Sequence, residues 1–306
     1  KIEFIAAVTQ GRRGKTLTNI QRLAKLDAAA FSDDGSPVAN ERLLKQALEE
    51  TRKADSLVMD HAEDLKLSAN GVINEGKTSR RLKLPGIPRE SEIAAVRRDL
   101  KVLKTSRGRL HLCHISTKEA VNLIRQAKTQ GMADRLSAEA CPHHFALTDE
   151  AVINWGPLAK VNPPLRTAED VQAVREGLAD GAIDAIASDH APHTNREKSQ
   201  GMKKAPFGLV GLETLLPATI TYLVKTGSVP LHQAIRLLTV GPARILGRPA
   251  PKIEPGEPAD LIIFDPNATV IFSSFASKSQ NSPFLGQKLY GRVLATIHRG
   301  RIVYRS

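Results

Sequence analysis

One aspartate and two histidines close the run Ile183-Asp184-Ala185-Ile186-Ala187-Ser188-Asp189-His190-Ala191-Pro192-His193, directly after a short apolar stretch of strand character. A carboxylate and imidazoles delivered where a buried parallel strand ends lie at the mouth of a barrel, where metal-assisted chemistry is done. Three other segments end the same way. Residues 28–31 give way to Ser32-Asp33-Asp34-Gly35, residues 56–59 to Asp60-His61-Ala62-Glu63-Asp64, and residues 110–113 to His114-Ile115-Ser116-Thr117. A histidine ending a single strand is ordinarily a hydrogen-bonded structural residue. Asp34, His61, His114 and Asp189, ending four strands in chain order, instead form a candidate metal set, since Zn²⁺ takes four or five N and O donors at about 2 Å.

The other histidines carry weaker signals. His143 and His144, in Cys141-Pro142-His143-His144-Phe145, also follow a strand and are read as structural or as supports behind the ligands. His111 has the opposite strand parity to His114 and is expected to face the helices. His232 and His298 have no comparable context.

Positioning these residues requires strands that alternate with helices. Short β-branched runs at 2–9, 28–31, 56–60, 109–114, 135–140 and 183–188 are separated by amphipathic stretches at 17–26, 40–52, 90–103, 118–130 and 168–178, with longer helices at 212–224 and 231–238. That alternation predicts an α/β fold built of βα units around a parallel sheet, a TIM-type (β/α)8 barrel in which six strands are visible. After Pro249 the pattern changes to short alternating strands at 259–264, 269–272, 292–298 and 301–304, the last two joined by a hairpin turn at His298-Arg299-Gly300-Arg301. Residues 1–248 are therefore expected to form the barrel and residues 249–306 a small β module.

Composition narrows the function. With 41% hydrophobic and 25% charged residues the chain reads as globular. Its net charge of +12 suggests a phosphate-binding surface, but the 44 Lys and Arg are interleaved with acids along helical faces, and aromatics are only 4% of the chain. Nucleic-acid binding is not expected, and the positive field suits a small anionic substrate better. No apolar run reaches membrane-span length, and two cysteines without a CxxC motif are read as reduced core thiols, so a cytoplasmic location is expected. The polar stretch 194–205, between Asp189–His193 and Phe207-Gly208, is expected to be a mobile lid.

The order of motifs resembles the cyclic amidohydrolases and, within them, the dihydroorotase family. The resemblance rests on Ser32-Asp33-Asp34-Gly35-Ser36-Pro37, Met59-Asp60-His61-Ala62-Glu63-Asp64, His111-Leu112-Cys113-His114-Ile115-Ser116-Thr117, Lys160-Val161-Asn162-Pro163-Pro164-Leu165-Arg166, Ser188-Asp189-His190-Ala191-Pro192-His193 and Ala205-Pro206-Phe207-Gly208. It covers essentially the whole chain.

In the bacterial branch of that family, the second aspartate of the Asp-Asp-Gly motif bridges two zinc ions, which implies Asp34 rather than Asp33. The resemblance assigns His61 and His114 to one zinc and Asp189 to the other, with Asp189 also acting as general base and acid. Asn162, His193 and the Phe207-Gly208 backbone are implied to hold a dihydropyrimidine ring. The implied activity is the reversible, zinc-dependent interconversion of dihydroorotate and N-carbamoyl-L-aspartate, with aspartate transcarbamoylase and a second copy of the chain as implied partners.

The related dihydropyrimidinases, hydantoinases and allantoinases share the barrel but usually bridge their metals with a carboxylated lysine, so Asp34 favours the dihydroorotase reading. A non-catalytic partner of aspartate transcarbamoylase is a further alternative, although such proteins tend to lose ligands that are retained here. None of the nine histidines forms the His-x-His pair of the family's first barrel strand. Two βα units, at least about 60 residues, are therefore expected to precede Lys1, and the chain without them is expected to be inactive and poorly soluble.

Overall fold

Each apolar segment is followed by a helix whose buried stripe returns the chain to the same side of a growing sheet, which is how parallel strands become neighbours. In the computed structural model, which describes residues 2–306, eight short strands occur before the tail. They are β1 (Ile5–Ala6), β2 (Ala30–Phe31), β3 (Val58–Asp60), β4 (Ile73–Asn74), β5 (Gly86–Ile87), β6 (Leu110–Leu112), β7 (Leu136–Ala140) and β8 (Ala185–Ile186). Six of them form one sheet in the order β1-β2-β3-β6-β7-β8, and every pair is parallel. These are the six segments expected from the sequence, shortened to the residues that share the hydrogen-bond ladder.

The β4–β5 pair was not expected. Two-residue strands are too short to show a period, and the pairing depends on Gly86, where a Cβ would lie 2.6 Å from Glu75 Cα.

Leu110, Leu112, Leu136, Ala138 and Ala140 belong to the main core together with Ala120, Val121, Ile124, Val174 and Leu178 from the covering helices. Helix Glu41–Lys53 shows why the register holds. It buries Leu43, Leu44, Ala47, Leu48 and Thr51 at helical spacing, and the Asn40 side chain caps its start by accepting from the Leu43 N–H. Thr117 and Thr167 cap helices Lys118–Ala127 and Ala168–Asp180 in the same way. The expected 118–130 helix ends at Ala127 and continues as a single π turn, Lys128–Met132, and the expected 212–224 helix starts only at Leu215.

The tail forms an antiparallel sheet of β9 (Leu261–Ile271), β10 (Lys288–His298) and β11 (Arg301–Arg305), in the order β11-β10-β9. The two expected strands at 259–264 and 269–272 are one. Asp265 pairs with Arg292 and Thr269 with Tyr290, so Pro266, Asn267 and Ala268 bulge opposite Gly291, whose φ is +97°. The bulge accommodates a proline that cannot donate to the ladder. At the β10–β11 hairpin, Arg299 and Gly300 both have positive φ, as a tight primed turn requires. β10 rests on the barrel where the Tyr290 N–H donates to Thr221 Oγ1 at 2.7 Å. Among the described residues no helix is long and apolar enough to cross a membrane.

Candidate metal centre and active site

Adjacent aspartates after β2 divide the work of the loop. Asp33 is buried and accepts from both the N–H and the hydroxyl of Thr9, anchoring the turn. Asp34 is left to reach across the strand ends, its own N–H donating to Ser32 Oγ at 3.0 Å. His61 follows β3 immediately. His114 and Asp189 lie two and three residues beyond β6 and β8, in left-handed backbone at φ +37° and +45°. Such a conformation costs a non-glycine residue roughly 1–3 kcal/mol and is held only where the surroundings dictate it.

The structure brings three of the four strand-end residues together. His61 Nδ1 lies 3.1 Å from His114 Nε2, and Asp34 Oδ1 lies 3.4 Å from each of these nitrogens. Bonds of about 2.0–2.1 Å to a tetrahedral Zn²⁺ set neighbouring donors about 3.3–3.4 Å apart, so this triangle has the edges of one face of such a site. His61 Nε2 meets Glu63 Oε2 at 2.9 Å, the carboxylate support that fixes the tautomer of a ligating imidazole. His114 Nδ1 is buried without a hydrogen-bond partner. Asp34, with its side chain 63% exposed, forms the open mouth of the centre.

The electrostatics match this arrangement. Hydrogen bonds from His114 and then His61 hold the Asp34 carboxyl far below the ordinary carboxylate range. Burial opposes a charge on His61, but hydrogen bonds to Asp34 and Glu63 outweigh it and push its pKa up to about 10. Burial likewise raises Glu63, and the bond from His61 overcomes it, leaving a pKa of about 2. Without a metal, a proton on His61 is the positive charge between two carboxylates.

Asp189 stands beside this triangle rather than in it. Its Oδ2 is 3.8 Å from His143 Nε2, and its pKa is raised by burial first, opposed by His114 and reinforced by Asp34 and Glu139. His143 is buried with neither ring nitrogen bonded, and burial drives its pKa well below the usual value. His144 is a packing residue that bonds the Pro163 carbonyl at 2.9 Å.

Asn162 joins the centre directly, donating to Glu63 Oε2 at 3.0 Å with His61 Nε2 at 3.3 Å. His193, Phe207 and Gly208 form a second cluster. His193 Nε2 bonds the Phe207 carbonyl at 2.8 Å, and Asn281, from the tail, bonds the His193 N–H and the carbonyls of Ala191 and Gly208. Gly208 has φ +120°, and a Cβ there would lie 2.5 Å from Ala191 Cβ, so this backbone approach needs glycine.

Two expectations are corrected. His111 does not face the helices: it points into the barrel, bonding Ser137 Oγ at 2.9 Å with Glu139 at 3.1 Å. The strand ends at Leu112 and the backbone turns left-handed at His114, so parity counted back from His114 misleads. The 194–205 stretch, expected as a loop serving as a lid, is built of two short helices, Asn195–Lys198 and Gly201–Lys204, the first capped by a Thr194–Glu197 box. Glu63, Glu139 and Asn281 had no assigned role in the sequence reading. Glu63 carried a signal, because in extended chain it shares a side with His61. A cavity of about 360 Å³ lined by Arg109, Arg135, Asp184 and Arg236 contains none of these residues and lies at the opposite strand ends.

Comparison with known proteins places the chain in a family. Residues 8–303 match the model of the Amidohydrolase family. The chain is 48% identical over 304 residues to a dihydroorotase of Pelotomaculum thermopropionicum, covering 99% of this chain and 71% of the relative. It is 45% identical to a dihydroorotase of Syntrophus aciditrophicus over the same shares. Among solved structures, the L-hydantoinase of Arthrobacter aurescens superposes with a TM-score of 0.84 at 26% identity, covering 99% of this chain and 70% of that one. The dihydropyrimidinase of Brevibacillus agri, at 21% identity and a TM-score of 0.82 over 99% of this chain and 69% of that one, shares the fold. The chain belongs to the amidohydrolase family and, within it, stands with the dihydroorotases.

Proposed function

We propose that this site hydrolyses the cyclic amide of (S)-dihydroorotate to N-carbamoyl-L-aspartate, reversibly, as a step of pyrimidine synthesis. The observation that carries the reading is the Asp34–His61–His114 triangle backed by Glu63, in a chain 48% identical to a dihydroorotase. The donor set suits two Zn²⁺ ions, which Asp34, His61, His114 and Asp189 would hold. When bound, such ions ease deprotonation of water and polarise the amide carbonyl.

Asp189 accepts the proton of the attacking water on its carboxylate and returns it to the ring nitrogen as the C–N bond opens. A carboxylate beside the Asp34–His61–His114 triangle has the chemistry that this proton transfer needs. Asn162, fixed by Glu63, and His193, fixed by the Phe207 carbonyl, orient the ring. Gly208, without a Cβ, lets the backbone approach it closely.

Hydantoinases and dihydropyrimidinases share the fold, but Asp34 stands where those enzymes usually carry a carboxylated lysine. We assign residues 1–248 to the barrel and 249–306 to the module that buttresses it. Unpaired Cys113 and Cys141 suit a reducing cytoplasm. Association with a second copy or with aspartate transcarbamoylase completes the proposal and is tested by sedimentation of the chain alone and mixed with that enzyme. The activity is tested by comparing turnover of dihydroorotate, dihydrouracil and hydantoin by zinc-loaded protein that also carries the His-x-His segment expected ahead of this chain. Preference for either of the latter two would overturn the substrate assignment.

A further inference from the structure

Two lysines are buried beside the Pro206–Gly208 segment with no carboxylate of the described residues paired to them. Lys160 and Lys198 are 3% and 4% exposed, and the one charged group that perturbs Lys198 is Lys160 itself. Lys160 Nζ donates to the carbonyls of Met202 at 2.7 Å and Ala205 at 2.6 Å and lies 4.4 Å from the centre of the Phe207 ring. Lys198 Nζ donates to the carbonyls of Pro157 and Pro206, each at 2.9 Å, with the Lys160 carbonyl at 3.4 Å. The circuit closes where the Gly208 N–H donates to that same Lys160 carbonyl at 2.9 Å.

An ammonium group removed from water without a counter-ion is costly, and burial lowers the pKa of both lysines, Lys198 to about 8. What the pair obtains in return is geometry. Peptide groups are planar and trans, so fixing the Pro206 carbonyl on Lys198 aims the Phe207 N–H the opposite way. Fixing the Met202 and Ala205 carbonyls on Lys160 ties helix Gly201–Lys204 to the turn Gly156–Ala159. Lys198 ties helix Asn195–Lys198 to that same turn.

We propose that Lys160 and Lys198 are positioning residues that lock residues 194–208 against the Gly156–Ala159 turn and hold the Phe207–Gly208 backbone in its substrate-binding orientation. The inference rests on the assignment of that backbone to the substrate ring. Its locking part rests only on the contacts above.

The test is Lys198→Met, which keeps the apolar stem and removes the donors, made in the same protein that serves for the substrate comparison. KM for dihydroorotate is expected to rise about tenfold while kcat stays within about threefold, the pattern of lost binding rather than lost chemistry. Trypsin cleavage after the exposed Lys203 or Lys204 is expected to accelerate. A folded variant with unchanged KM and unchanged cleavage overturns the proposal. Lys160→Met is run alongside with the same readouts, and failure of both variants to fold would show a purely structural role and also overturn it. Wild-type protein that ignores dihydroorotate counts against the substrate assignment, and the cleavage comparison still decides the lock.

Discussion

Glu63 grips His61 from behind: its Oε2 lies 2.9 Å from Nε2, while Nδ1 of the same ring faces His114 and Asp34. One imidazole thus links that carboxylate to His114 and Asp34. Glu63→Gln should keep the fold and weaken zinc affinity about 10–100-fold, the usual cost of removing a carboxylate behind a metal-bound histidine. Competition with a chromophoric chelator measures it, and unchanged affinity would remove Glu63 from the centre.

Asp34 Oδ1 lies 3.4 Å from both His61 Nδ1 and His114 Nε2. Asp34→Ala should therefore abolish tight zinc binding at the bridged pair. Metal analysis of the dialysed variant is the check, and undiminished zinc would sink the assignment.

The pKa of His61, raised to about 10 by Asp34 and Glu63 against the opposing effect of burial, has a signed consequence for the metal-free protein. A group protonated more readily folded than unfolded stabilises fully below its unfolded pKa and loses that contribution as pH climbs through the folded one. Thermal melts of chelator-treated protein should show this contribution intact below about pH 6.5 and fading towards pH 10. Zinc replaces the proton, so the loaded protein should show a flatter profile. Parallel profiles would mean that His61 does not bind metal.

Asp189 is expected to move the proton. Asp189→Asn should lower kcat by about 10²–10⁴-fold, the range for loss of a general base and acid. Near-normal turnover would transfer that role to another group.

The sheet was legible because apolar runs and helical stripes are local patterns, and all six strands of the main sheet fall inside the expected segments. The meeting of Asp34, His61 and His114 was legible because each ends such a strand. Other features depend on contacts that leave no local trace. Asn281 reaches the site from the tail to bond the His193 N–H, 88 residues away in sequence. His111 was misplaced because strand parity stops applying once the backbone leaves the strand, which here happens before His114. The polar 194–205 stretch concealed a buried lysine, because composition does not reveal which side chain turns inward.

The left-handed backbone at His114 and Asp189 sets two demands on the molecule against each other. Glycine would relax the backbone at either position, but at His114 it would also empty a buried site and strip the contacts to His61 and Asp34. A library aimed at hardening this protein should therefore hold both positions fixed.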